Sequence, residues 1–274
     1  MKNQYFGDEH DYLKYGLLYL LYTQYNIDKR LFIAWYLTED DDDSSKKEGD
    51  TKTGDGNKRE YLKNNNYREF DATIYDKLKD YHEKRNIEEA ENILISVCPG
   101  TKFYSKTLDN TTNRAKWFEK LKSNAKGFEF VFVDPDNGIK FSNDKSVKHI
   151  TLNEILELWN EEHSIIVYQH FPHFDREVFQ YGVVVKLAKL LKNSYLSVIK
   201  AGDVVYLFLL QQKDIGEFVT FVEKWKRKFS TLEKEKGYRR DIQQKIEVVF
   251  INNKEEIVSK QIEHLKPDIK LSQP

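Results

Sequence analysis

The chain has a single cysteine, Cys98. One thiol cannot build a disulfide framework or a thiolate metal cage within the chain, and a lone cysteine fits a reducing compartment. Long apolar runs are missing as well. None approaches bilayer length, and the opening Met1-Lys-Asn-Gln-Tyr5 has no apolar centre of the kind a signal peptide carries. The expected location is therefore cytoplasmic, with no membrane partner. Nor is there a surplus of charge: 44 Lys and Arg stand against 45 Asp and Glu, a formal net charge of -1. A DNA or RNA partner would have to be held by a local basic patch. No internal repeat and no heptad pattern is present, which excludes solenoids and coiled coils.

What the chain does have is aromatic and β-branched residues gathered into short runs. The most informative is Phe128-Glu-Phe-Val-Phe-Val133, followed at once by Asp134-Pro-Asp-Asn-Gly138. The run is too short for a helix and apolar on both faces, so it reads as a buried strand. Pro135 cannot continue a central ladder and Asp136-Asn137-Gly138 is turn chemistry, so the strand ends in two carboxylates, an amide and a glycine. In open α/β sheets that carboxyl edge is where ligands sit.

The other elements can be arranged around this one. Tyr12 to Tyr22 places Leu13, Leu17, Leu20 and Leu21 on one helical face, with Asp8 or Asp11 as cap. Leu31 to Leu37 reads as the first buried strand, and Thr38 to Asn66 as a polar loop, flexible or ordered by a ligand. Asp71 to His82 has helical spacing, Ile93 to Cys98 reads as a second strand, and Asn113 to Leu121 as a short helix. Thr151 with Glu154 forms a capping box before an amphipathic helix. Ser164 to Tyr168 is the next strand, stopping at Gln169 and His170. Arg176 to Lys192 is a long helix, Leu196 to Lys200 and Val204 to Leu210 an antiparallel hairpin, Ile215 to Phe229 a helix, and Ile246 to Ile251 a last strand. Alternating strand and helix implies parallel pairing with right-handed crossovers. The expectation is one α/β domain over residues 1–274: a three-layer sheet, mostly parallel, with antiparallel strands at the C-terminal end.

This plan resembles the Rossmann-like methyltransferase superfamily, whose sheet ends in an antiparallel strand. Tyr5-Phe-Gly-Asp8, Asp11-Tyr-Leu-Lys-Tyr15 and the leucines after them resemble the opening of bacterial ribosomal RNA adenine-N6 methyltransferases. Val133-Asp-Pro-Asp136 resembles the strand-end Asp-Pro-Pro-Tyr motif with which amino-methyltransferases hold a target nitrogen. The likeness covers Asn3 to Gln211 in element order. Tyr5-Phe-Gly, Lys14-Tyr-Gly-Leu, Asp134-Pro-Asp-Asn-Gly138 and Tyr168-Gln-His170 also resemble segments of a family of bacterial and phage-like proteins, a resemblance that brings no activity with it. Two departures stand beside these matches. The first strand is followed by no glycine before Gly49, where the superfamily has a glycine-rich turn for S-adenosylmethionine. Asp136-Asn137 replaces the proline and aromatic, removing the ring that stacks on a flipped base.

The resemblance implies a nucleic-acid-modifying enzyme, an S-adenosylmethionine-dependent amino-methyltransferase. Its catalytic set would be Asp134, Asp136, Asn137 and His170. Tyr5, Lys14, Trp35, Thr38, Asp55 and Gly56 would meet the cofactor, and Gly138 and Gln169 the substrate. Each residue has a plainer role open to it. Asp134 to Gly138 can be an Asx turn, His170 a hydrogen-bonded structural histidine, the acidic run from Asp40 a solvated loop, and Trp35, Trp117, Trp159 and Trp225 core. A zinc site on His170 and His173 is disfavoured by Pro172 between them. Lys224-Trp-Lys-Arg-Lys228 and Tyr238-Arg-Arg240 suit phosphate or an outer helix face equally. Two other functions fit the same residues. One is a Mg2+-dependent nuclease or phosphohydrolase with Asp134 and Asp136 as ligands, and the other a binding protein that keeps the fold without the chemistry.

Overall fold

The computed structural model describes residues 1–25, 31–40, 59–81, 85–141, 146–170, 176–191, 194–201, 204–233, 250–251 and 257–258. The main sheet has six strands. They are β1 (Leu31–Ala34), β2 (Lys102–Tyr104), β3 (Phe130–Val133), β6 (Ser164–His170), β7 (Tyr195–Ala201) and β8 (Val204–Leu210), in the spatial order β2-β1-β3-β6-β8-β7. The small strands β4 (Ile139–Lys140) and β5 (Ile150–Thr151) pair with each other beside it. The pairs β1·β2, β1·β3 and β3·β6 are parallel, while β8 runs antiparallel to both β6 and β7. A mostly parallel, Rossmann-like α/β sheet with one reversed strand near its edge is the expected architecture.

Helices cover both faces, because every central strand is apolar on both sides. Phe130 and Phe132 point into a core shared with α1 (Glu9–Tyr25), α2 (Ala72–Asp80), α3 (Ile87–Val97) and α7 (Ile215–Glu233). Val131 and Val133 point the other way, to α4 (Arg114–Ala125), α5 (Leu152–Asn160) and α6 (Arg176–Leu190). At about 25 cal/mol per Å² of buried apolar surface, these two layers supply most of the driving force for folding. Where α1 crosses the 70s segment, a Cβ on Gly16 would lie 2.6 Å from the Phe70 ring, so only glycine allows the approach. All four tryptophans are buried. The Thr151–Glu154 capping box is present, and Glu154 also receives a two-pronged bond from Arg114 at 2.8 and 2.7 Å, which ties α5 to α4.

Several sequence expectations need correction. Ile93 to Val97 is not a strand: the spacing of Ile87, Ala90, Ile93 and Leu94 buries one face of α3, and the second strand is Lys102–Tyr104. Cys98 follows that helix. Its thiol is buried and pushed up to about 12 by desolvation, which makes it a poor nucleophile. Strand β6 does not stop at Tyr168, since Gln169 and His170 pair with Val205 and Val204. The polar loop has structure at its end: residues 60–63 and 65–69 form 3-10 turns, with Tyr61 stacked on Tyr12 and its hydroxyl donating to Gly7 O at 3.0 Å. Residues 41–58, which include Asp55 and Gly56, lie outside the described residues, as do 171–175 and 234–249 with His173 and Tyr238-Arg-Arg240. Among the described residues no helix is long and apolar enough to cross a membrane.

Candidate functional site

Strand order reverses its direction of travel between β1 and β3, so the crevice at their carboxyl ends is the topological switch point of the sheet. Asp134 lies at the tip of β3, and residues 35–38 leave the tip of β1. The two tips are tied together by Asp134 N donating to Ala34 O at 3.0 Å and by the Thr38 hydroxyl donating to Asp136 Oδ2 at 2.6 Å. In the turn between Trp35 and Leu37, Tyr36 has φ +47°, a left-handed conformation that favours glycine. The chain thus makes a glycine-like turn after β1 without a glycine, at a cost on the order of 1–2 kcal/mol. Strain of that kind concentrates at functional sites.

Beneath the crevice lies a buried charge network. Lys14 Nζ meets Asp134 Oδ2 at 2.7 Å and Asp11 Oδ1 at 2.9 Å, and sits 4.6 Å from the centre of the Tyr168 ring. Asp11 Oδ2 accepts from Tyr15 Oη at 2.9 Å and from Gly7 N at 3.0 Å. Asp8 caps α1 by accepting from Asp11 N at 2.9 Å. Burial pulls the Lys14 ammonium down, but Asp11 and Asp134 outweigh it and hold the amine above its ordinary range, hence charged. Asp134, 2% exposed, is therefore spoken for by a cation and faces inward.

Asp136 is the carboxylate at the crevice itself. Its Oδ1 lies 2.6 Å from the Met1 amino group, which also donates to Asp134 O at 2.9 Å and Tyr36 O at 3.4 Å. Burial opposes ionisation of Asp136, and the Met1 amine and the Thr38 hydroxyl prevail and keep its carboxyl below the usual range. Asn137 is exposed at the surface of the turn. Gly138 has φ +79° and packs against Gln169, whose Oε1 accepts from Ile139 N at 2.7 Å. The Gln169 Nε2 donates to His170 O at 2.7 Å and Asn137 O at 3.2 Å. Gln169 thus clamps the Asp-Asn-Gly turn with both ends of its amide, and as placed its side chain faces that turn.

His170 packs edge-on against Tyr168 at 5.0 Å and His10 at 6.3 Å. Burial pushes its imidazole down to about 4, with His10 and Lys14 adding to the effect. A histidine starts near 6.5 in the unfolded chain, so between about 6.5 and 4 the unfolded state binds the proton first, and stability falls as pH falls. Burial lowers His163 and His149 in the same sense, while the depressed Asp136 adds its loss only below the ordinary carboxylate range. A His170→Gln variant should show a smaller drop in melting temperature between pH 7 and pH 5 than the parent. The difference should correspond to about 1–2 kcal/mol, and an unchanged slope would show that His170 is protonated in the folded chain.

Of the other residues expected at the cofactor, Trp35 is fully buried. Its Nε1 donates to Glu91 Oε1 at 3.0 Å and its ring stacks on Phe103 at 6.1 Å. Ser105 donates to the same Glu91 oxygen. Tyr5 lies in the 3-10 turn at residues 3–5, with Lys2 over its ring. Beyond Leu37, at the carboxyl ends of β1 and β2, a cleft of about 1000 Å³ opens between α3 and α4, lined by Asn3, Glu88, Glu91, Phe103, Tyr104 and Trp117 among others. The structure therefore gathers Lys14, Thr38, Asp134, Asp136, Gly138 and Gln169 at one edge. Met1, Asp11, Tyr36 and Glu91 join them, none of which the sequence marked for a ligand. Lys14 was the available signal, as a lysine inside an apolar helical face demands a buried carboxylate.

No family model matches the chain, and no curated protein does. Among solved structures, human methyltransferase-like protein 13 in complex with SAH is similar at 12% identity and a TM-score of 0.32, over 86% of this chain and 97% of that one.

Proposed function

We propose that the chain is a methyltransferase-like enzyme that binds S-adenosylmethionine across the carboxyl ends of β1, β2 and β3 and acts on the amino group of a nucleic-acid base. The observation that carries this reading is an ammonium seat beside a nucleoside-sized cleft. Asp136 Oδ1, Asp134 O and Tyr36 O together hold a methionine α-amine, and Leu37 and Asn3 connect that seat to the cleft of about 1000 Å³. The donor set fits the cofactor. Three acceptors suit its α-ammonium, the cleft's carboxylates on Glu88 and Glu91 suit ribose hydroxyls, and Phe103, Tyr104 and Trp117 offer apolar wall for a base. When bound, the cofactor would supply an electrophilic methyl group.

Within this reading the expected catalytic set divides. Asn137, exposed at the mouth, would orient the target amine, Asp136 belongs to the ammonium seat, and Asp134 is a positioning residue that acts through Lys14 and the β3 tip. His170, neutral at physiological pH, packs with His10 next to the same edge. Calorimetric titration with S-adenosylhomocysteine is expected to give saturable heat, and Asp136→Ala to lower the affinity by about tenfold or more, the worth of one charge-assisted contact. Transfer of labelled methyl to RNA or DNA should fall in Asn137→Ala with cofactor affinity retained. Absence of heat with millimolar cofactor would end the proposal. The Mg2+ reading has less support: among the described residues no three His, Cys, Asp or Glu side chains are grouped to hold a metal ion, and Lys14 and the Met1 amine already neutralise Asp134 and Asp136.

A further inference from the structure

The ammonium seat is filled by the chain's own first residues. Met1 and Lys2 are 4% and 3% exposed, unusual for a segment of that composition. Beyond its amine, Met1 is held by its carbonyl, which accepts from Thr38 N at 2.9 Å, and by its sulfur, 3.9 Å from Lys14 Nζ. From there the segment runs along the carboxyl edge towards α3. Asn3 Oδ1 accepts from Ile87 N at 2.8 Å, Gln4 N donates to Asp40 Oδ1 at 3.1 Å, and Gln4 O accepts from Arg85 Nη1 at 3.0 Å. Each end of this strap borrows a group from a different element, and none of these bonds lies within a helix or strand ladder. Its length crosses both the seat at Asp136 and the wall of the cleft at Asn3.

We propose that residues 1–5 are an autoinhibitory strap: Met1 and Lys2 occupy the place of the amino-acid end of the ligand, and the cofactor binds by displacing them. The inference rests on the cofactor reading above and adds a regulation to it. A site whose competent state is only a fraction of the population binds with its affinity reduced by that fraction. Anything that draws the strap away raises affinity without touching the seat itself. The segment is held by six hydrogen bonds and the ion pair to Asp136, none of them part of a helix or strand ladder, so its release leaves the ladders of the fold intact.

The test compares the full chain with a chain lacking residues 1–5, using S-adenosylhomocysteine and the synthetic peptide Met-Lys-Asn-Gln-Tyr as probes in calorimetry. The shortened chain should bind S-adenosylhomocysteine about tenfold or more tightly than the full chain, and the peptide should bind the shortened chain and compete with it. In the full chain, the Thr38 and Ile87 amides should lose hydrogen-exchange protection when S-adenosylhomocysteine is added. Equal affinity in both chains, with both amides still protected, overturns the strap and leaves the cofactor reading standing. Binding to neither chain removes the cofactor reading, and the strap with it. Should the shortened chain fail to fold, Asn3→Ala in the full chain serves instead. Loosening the strap predicts tighter binding, whereas loss of a cleft wall predicts weaker binding, and an unchanged or weaker affinity overturns the proposal.

Discussion

Replacing Lys14 with methionine should destabilise the chain by about 3–5 kcal/mol, the usual cost of stranding buried charge. Methionine fills much of the same volume, so the loss would be electrostatic. Without the ammonium, Asp134 and Asp11 are left facing each other in a region where Asp134 is 2% and Asp11 1% exposed. The cation also bridges α1 to the tip of β3, 120 residues apart in sequence. Adding Asp134→Asn to Lys14→Met should restore most of the stability, since Asp11 retains the Tyr15 hydroxyl and the Gly7 amide. Urea unfolding measures both variants. If Lys14→Met costs less than about 1 kcal/mol, or the second substitution restores nothing, the network is not what holds α1 to the sheet.

The second large effect belongs to Gly138. An alanine there would place its Cβ 2.1 Å from Gln169 Oε1 on a backbone with φ +79°. Left-handed backbone costs a side-chain-bearing residue roughly 1–2 kcal/mol, and forcing an extra methyl into a packed site adds about 1–3 kcal/mol. Gly138→Ala should therefore lose about 2–5 kcal/mol and shift the Asp136-Asn137 turn. The clash is with one side chain, so the effects must couple: Gly138→Ala with Gln169→Ala should cost clearly less than the sum of the two single variants. Strict additivity would mean that Gln169 moves aside freely and does not fix the turn.

Much of this arrangement could be read from the sequence. Runs such as Phe130-Val-Phe-Val133 and Val204 to Leu210 are apolar on both faces and too short for helices, so these strands, the class and the late reversal of direction were visible, while the short strand Lys102–Tyr104 was not. The Asp134 to Gly138 tip could be placed for the same reason, since Pro135 ends a ladder wherever it falls. Ile93 to Val97 misled because an apolar run of that length has no period of its own; the helix is set by Ile87 and Ala90 upstream and capped by Asn86. The partners of the tip were hidden for a different reason. Nothing local in Met1-Lys-Asn or in Tyr36 announces a contact with residues about a hundred positions away, and pairings of that kind are fixed only when the sheet closes. Gln169 looked like a ligand group because it ends a buried run. Its amide turned out to complete backbone bonds that β4 and its turn could not complete themselves.

The packing of α1 carries a consequence for synthesis. Its helix lies against α7, with Tyr25 Oη donating to Asp214 O at 2.7 Å and Gln24 Nε2 to Glu217 Oε2 at 2.7 Å. Nearly two hundred residues separate those partners, so at ~5–20 residues per second α7 leaves the ribosome roughly 10–40 s after α1. Throughout that interval the leucines of α1 lack part of their eventual cover, so the nascent chain carries exposed apolar surface, the condition that favours aggregation, until α7 emerges.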